Sequence, residues 1–126
     1  MKEIVTKIRS LDKYKNVKFI VLFGSCAHNK ANALSDIDIA IYYSGDEKQR
    51  FSFQKLVAGT LPLKVDVKIF QDLPTLLKNE VLQGKILYYD DYEFLIEQYV
   101  GVIKEYRYFE KYHQMYLNEL RKEVEA

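Results

Sequence analysis

Ten residues separate Gly24-Ser25 from Asp36-Ile37-Asp38, and that spacing constrains this chain more than any other feature. An apolar run, Phe19-Ile-Val-Leu-Phe23, leads into Gly-Ser. A short connector follows, and then a second apolar run carries two aspartates. On a strand, side chains at i and i+2 point to the same face. Asp36 and Asp38 therefore project together, and Ile37, Ile39 and Ile41 face the other way, into a core. Two carboxylates side by side repel each other unless a cation lies between them. Hard oxygen ligands suit Mg²⁺, which takes its remaining ligands from substrate phosphates and water. Gly24 lets a phosphate approach the backbone closely. If the connector opens as a helix, its free N–H groups and the Ser25 hydroxyl hold that phosphate.

Spacing along the rest of the chain outlines a small α/β domain. Ile4, Ile8 and Leu11 mark a helix over residues 3–13. Residues 17–23 form a buried strand, and Ser25 to about Asn32 a helical turn plus loop. Residues 36–43 make the second strand, which closes at Ser44-Gly45-Asp46. A helix over 46–59 ends at Gly59 and the Leu61-Pro62 break. Lys64-Val-Asp-Val-Lys-Ile-Phe70 alternates as a third strand. Val65, Val67 and Ile69 share one face of it, and Lys64, Asp66 and Lys68 the other. Pro74 opens a helix that Gly84 closes. Residues 85–89 are extended, and 91–124 are helical.

The Gly-Ser, ten-residue gap and Asp-x-Asp pattern resembles the signature of the DNA polymerase beta-like nucleotidyltransferase superfamily. In a chain of 126 residues it looks most like the minimal nucleotidyltransferases, in particular the antitoxin members paired with HEPN ribonuclease toxins. The likeness covers residues 17 to 90. It implies an α/β (α+β) fold, a small mixed sheet backed by helices and ending in a long helix. Residues 1–90 are then the nucleotidyltransferase core and 91–126 a helical tail of the same domain. The resemblance implies transfer of a nucleoside monophosphate, AMP from ATP, onto a tyrosine hydroxyl of a HEPN toxin. Gly24 and Ser25 would hold the β- and γ-phosphates, and Asp36 and Asp38 would bind Mg²⁺. Asp66 resembles the third acidic position, which completes a two-ion site and helps deprotonate the acceptor. The alternative is a non-catalytic antitoxin that neutralises its HEPN partner by binding alone.

One departure bears on that alternative. Minimal members read Gly-Ser-Arg-Ala-Arg-Gly, whereas this chain reads Gly-Ser-Cys-Ala-His-Asn. Cys26 and His28 stand where arginine, the better phosphate clamp, is found. Loss of both arginines favours the binding-only reading, and retention of three acidic positions opposes it.

Charge and composition narrow the partners. Residues 1–35 hold seven Lys/Arg against two Asp/Glu, a balance that suits a polyphosphate. Residues 91–126 hold five against eight, a poor surface for nucleic acid. No apolar stretch is long enough to span a membrane. The N-terminus has no signal-peptide run, and a single cysteine fits a reducing cytoplasm.

The tail carries apolar residues every three or four positions: Leu95, Tyr99, Val102, Tyr106, Phe109, Tyr112 or His113, Tyr116, Leu120 and Val124. Phe94, Ile96, Val100, Ile103, Tyr108 and Met115 add a second strip. Eight of the eleven tyrosines lie between 88 and 116, and tyrosine is enriched at interfaces. A straight helix here is about 50 Å long at ~1.5 Å per residue. Two arrangements fit: the tail doubles back over the sheet, or it offers a seam to a partner or a second copy. Arg107 and His113 match the Arg-x(4–6)-His spacing of HEPN ribonucleases, but this chain has too few helices for a HEPN bundle.

Overall fold

The computed structural model describes residues 1–24, 27 and 36–125. The expected helical turn after Gly24 lies outside them. Helix α1 (Lys2–Leu11) precedes strand β1 (Val17–Phe23). Strand β2 (Ile37–Tyr43), helix α2 (Glu47–Thr60) and strand β3 (Val65–Ile69) follow. A 3₁₀ turn at Phe70–Asp72 leads to helix α3 (Thr75–Leu82), strand β4 (Lys85–Tyr89) and helix α4 (Tyr92–Glu125).

The four strands form one sheet in the order β3-β2-β1-β4. β1 is antiparallel to both β2 and β4, and β2 runs parallel to β3. The parallel pair is joined by α2, as parallel strands require a crossover. β1 is apolar on both faces because helices cover both. One face packs Ile20, Leu22, Ile39, Ile41, Val65, Val67 and Ile69 against Ile8 of α1 and Phe53 and Val57 of α2. The other packs Phe19, Val21, Phe23, Ala40 and Phe70 against Val81 of α3 and Leu95 and Val102 of α4. Each such large side chain, fully buried, contributes roughly 1.5–3 kcal/mol.

Local chemistry sets the element ends. Asp46 caps α2 by accepting from the Gln49 backbone N–H at 2.8 Å, and the Gln49 side chain accepts from the Asp46 N–H at 2.9 Å. Arg50 clamps the 3₁₀ turn to α2 with a bidentate pair to Asp72, Nη2–Oδ1 at 2.8 Å and Nε–Oδ2 at 3.0 Å. It also donates to the Gly45 carbonyl at 2.8 Å. Asp91 caps α4, accepting from the backbone of Glu93 and Phe94.

The tail does not double back. Residues 92–125 form one continuous helix of 34 residues. Aromatic contacts hold its first three turns to the sheet. Phe94 meets Tyr42 edge-on at 4.9 Å between centroids, and Tyr99 meets Phe19 at 6.2 Å. Thr75 at the start of α3 donates to the Glu105 carboxylate at 2.5 Å. From Arg107 to Glu125 every residue is exposed. The sheet is too small to cover a helix of about 50 Å.

Candidate active site

Parallel register brings the acidic positions together. Asp38 on β2 stands directly opposite Asp66 on β3, and Ala40 stands opposite Lys68. All four side chains lie on the α3/α4 face, because Ile39, Val67 and their i±2 neighbours fill the core against α1 and α2. On the other side of β2, Asp38 is opposite Phe23, the last residue of β1. The site thus sits where β1 ends and where β2 and β3 begin.

Gly24 turns the chain out of β1 in the left-handed region, with φ +77°. A Cβ at that position would lie 2.5 Å from Asp38 Oδ2. The left-handed φ makes any side chain at Gly24 strained, and a Cβ there would also force the Asp38 carboxylate to shift. Ala27 closes this turn by donating to the Gly24 carbonyl at 3.2 Å. Ser25, Cys26 and His28 lie outside the described residues.

Asp36 precedes β2 by one residue and is exposed, so the strand starts one position later than its alternation suggests. The Ile37 N–H donates to the Lys64 carbonyl at 2.8 Å and fixes the entry to β2 beside the entry to β3. Asp38 is half-buried. Burial raises the pKa of its carboxyl above the ordinary 3.8, and the negative charges of Asp66, Asp36 and Glu80 raise it further. Lys68 opposes them. Its Nζ lies 3.4 Å from Asp66 Oδ2, and both side chains are well exposed.

Two of these groups escaped the motif. Glu80 belongs to α3, and no sequence spacing ties it to Asp38; only the packing of α3 over β1 brings it near. Lys68 was marked by strand alternation as sharing the face of Asp66, but its contact with that carboxylate is visible only in three dimensions.

Such a concentration of carboxylates suits a hard divalent cation. Among the described residues, no group of three or more His, Cys, Asp or Glu side chains is gathered tightly enough to hold an ion alone. That donor chemistry fits Mg²⁺, which keeps waters and shares its shell with substrate phosphates. Asp38 and Asp66, with Asp36 at the rim, are the residues that would hold it.

This geometry, a left-handed glycine beside a mixed sheet whose adjacent strands present facing aspartates, defines a nucleotidyltransferase. The chain belongs to the polymerase beta nucleotidyltransferase family, whose sequence model matches residues 6–93. Two proteins of Methanocaldococcus jannaschii, provisionally named protein adenylyltransferases, are similar to it. One is 34% identical over 93 residues, 73% of this chain and 71% of its own. The other is 37% identical over 73 residues, 55% of this chain and 74% of its own. The fold is that of antitoxins in toxin–antitoxin complexes. A crystal structure of one such complex with AMP-PNP superimposes with a TM-score of 0.72 at 23% identity, covering 94% of this chain and 97% of that one. An MNT antitoxin in complex with a tri-AMPylated Shewanella oneidensis HEPN toxin gives a TM-score of 0.65 at 24% identity, covering 94% and 97%. Among the described residues no helix is long and apolar enough to cross a membrane.

Proposed function

We propose that this chain moves AMP from Mg-ATP onto a tyrosine hydroxyl of a HEPN toxin and so acts as its antitoxin. The observation that carries the reading is the in-register facing of Asp38 and Asp66 beside Gly24. The family match and the named activity of the archaeal relatives support the reaction type. The AMPylated HEPN toxin bound to a protein of this fold supports the acceptor.

Gly24 and Ser25 hold the β- and γ-phosphates. Asp36, Asp38 and Asp66 provide the carboxylate oxygens for Mg²⁺. The bound ions supply charge neutralisation to the triphosphate and to the departing pyrophosphate. The half-exposed side chain of Asp66, on the edge strand of the sheet, supports its role toward the acceptor hydroxyl. The acceptor oxygen forms its bond to the α-phosphorus as the bond to the β-phosphate oxygen breaks. Pyrophosphate leaves, and the hydroxyl proton passes to Asp66. Positioning and charge neutralisation provide most of the rate in such a transfer.

The test is AMP transfer to a co-purified HEPN toxin, followed by intact mass. Replacing Asp36 and Asp38 by Asn in one variant removes a contribution of several kcal/mol, on the order of 10²–10³ in rate. Chelation by EDTA is expected to abolish transfer in the parent. Asp66→Asn is expected to lower turnover strongly and leave Mg-AMP-PNP binding within a few-fold. Full transfer in EDTA would overturn the metal-dependent reading. A double variant that leaves the toxin unmodified yet still inhibited would favour neutralisation by binding alone.

A further inference from the structure

The Lys68–Asp66 pair has a feature that the reaction scheme leaves unused. The lysine is rooted two residues along β3 from Asp66, a step of about 6.6–6.8 Å. Its side chain folds back so that Nζ reaches the carboxylate at 3.4 Å. The ammonium therefore rests against the carboxylate that a cation at Asp66 would share. The pair is exposed, with side-chain accessibilities of 39% for Lys68 and 50% for Asp66. Pairs of that kind contribute about 0–1 kcal/mol, so separating this one costs little. A nucleotide entering beside Asp36, Asp38, Asp66 and Glu80 meets four carboxylates, and among the described residues Lys68 is the cation whose charge acts on Asp38 beside them.

We propose that Lys68 is a triphosphate ligand held in reserve: its ammonium rests on Asp66 in the free protein and transfers to a phosphate oxygen when Asp66 turns to a divalent cation. The inference rests on the nucleotidyltransferase reading above. It gives the lysine two consequences of opposite sign. Lys68 competes with a cation for Asp66 before nucleotide arrives, and it strengthens nucleotide binding afterwards. The rival role is protection of an exposed sheet edge, since lysine on an edge strand discourages pairing with another chain. That role makes neither consequence.

Calorimetry with Mg-AMP-PNP, which reports binding without turnover, separates the two. Lys68→Met is expected to weaken the analogue by about tenfold or more. Lys68→Arg, which keeps the charge, is expected to stay within about threefold of the parent. Titration with Mn²⁺ in the absence of nucleotide, read by electron paramagnetic resonance, is expected to show tighter binding in Lys68→Met than in the parent. Circular dichroism melts of all three proteins check that the sheet is intact. Equal analogue affinity in Lys68→Met and the parent overturns the proposal, as does equal loss in the Met and Arg variants. If the parent itself does not bind Mg-AMP-PNP, the nucleotidyltransferase reading fails and this inference with it. If the parent binds and Lys68→Met binds equally, only the role of the lysine fails.

Discussion

Asp38 works against the fold in the free protein. Its carboxyl is half-buried and faces three other carboxylates, and those conditions raise its pKa above the ordinary 3.8. An acid whose pKa is raised on folding binds its proton more tightly in the folded chain than in the unfolded one. The stability it contributes is present in full below the ordinary value and is lost as pH rises through the raised value. At neutral pH the charged group is therefore a destabilising one. Asp38→Asn is expected to raise the melting temperature of the nucleotide-free protein at pH 7, with a gain that shrinks as pH falls through the raised pKa. Thermal melts from pH 8 to pH 4 would check this. A variant that melts lower than the parent at pH 7 would contradict it. At this scale the sequence was informative where spacing encodes geometry. The i, i+2 rule placed Asp66 on the polar face of β3, and the Gly-Ser/Asp-x-Asp gap singled out Asp36 and Asp38, the second of which stands opposite it. The pressure of Glu80 was not legible, because it depends on how α3 lies over the sheet. The same holds for the steric constraint on Gly24, which comes from Asp38 Oδ2, fourteen residues away in the chain, and adds to that of its left-handed φ.

Elements were legible where their signals are local. β1 and β4 match the expected 17–23 and 85–89, because apolar content and bounding turns define short strands well. Asp46 and Gln49 form a capping box that starts α2 one residue later than periodicity alone suggests. The difference is within the usual uncertainty of element ends. What local signals do not convey is the environment of a side chain. Tyr99 lies on the apolar stripe of α4, but its hydroxyl is buried, and no partner for it exists among the described residues. Burial alone pushes its pKa up to about 12. A buried donor without a partner costs about 1–3 kcal/mol. Its ring packs edge-on against Phe19, an interaction that phenylalanine preserves. Tyr99→Phe is accordingly expected to stabilise the protein by about 1 kcal/mol in urea denaturation. A loss of stability would show that the hydroxyl is satisfied in solution. The same helix carries Gly101, against which a Cβ would meet nothing within 4 Å. Glycine in a helix interior is roughly 0.5–1 kcal/mol less favourable than alanine. Gly101→Ala should stabilise by about that amount, and a loss would reveal a close neighbour that only an assembly provides.

At the scale of the whole molecule, α4 is longer than the domain that holds it. Leu95, Tyr99, Val102 and Tyr106 pack on the sheet and α3 or lie beside that contact. The alternate four- and three-residue spacing then continues through Phe109, His113, Tyr116 and Leu120, beyond any part of the domain. There Phe109 is 40% exposed, Tyr116 61% and Leu120 39%. Tyr108, Tyr112 and Met115 widen the arc, with Tyr108 and Tyr112 joined through their hydroxyls at 2.9 Å. A helix that alternates in this way is shaped to pack against other helices. Exposed apolar residues gathered on one helix face in this way are expected to meet a partner surface. The sequence left open whether the stripe folds back or faces outward, because periodicity specifies a face and not what covers it. The continuous helix decides for outward. Phe109→Glu with Leu120→Glu is therefore expected to abolish assembly with a helical partner or a second copy. The melting transition of the monomer should stay nearly unchanged, since neither residue contributes to either core and exposed substitutions typically alter stability by no more than about 0.5 kcal/mol. Leu95→Glu, one turn into the helix and 1% exposed, should instead unfold the domain. Multi-angle light scattering, alone and after co-expression with a HEPN toxin, distinguishes the outcomes. If the parent remains a monomer under both conditions, the apolar half of α4 is not an interface, and the proposed partnership with a HEPN toxin fails with it.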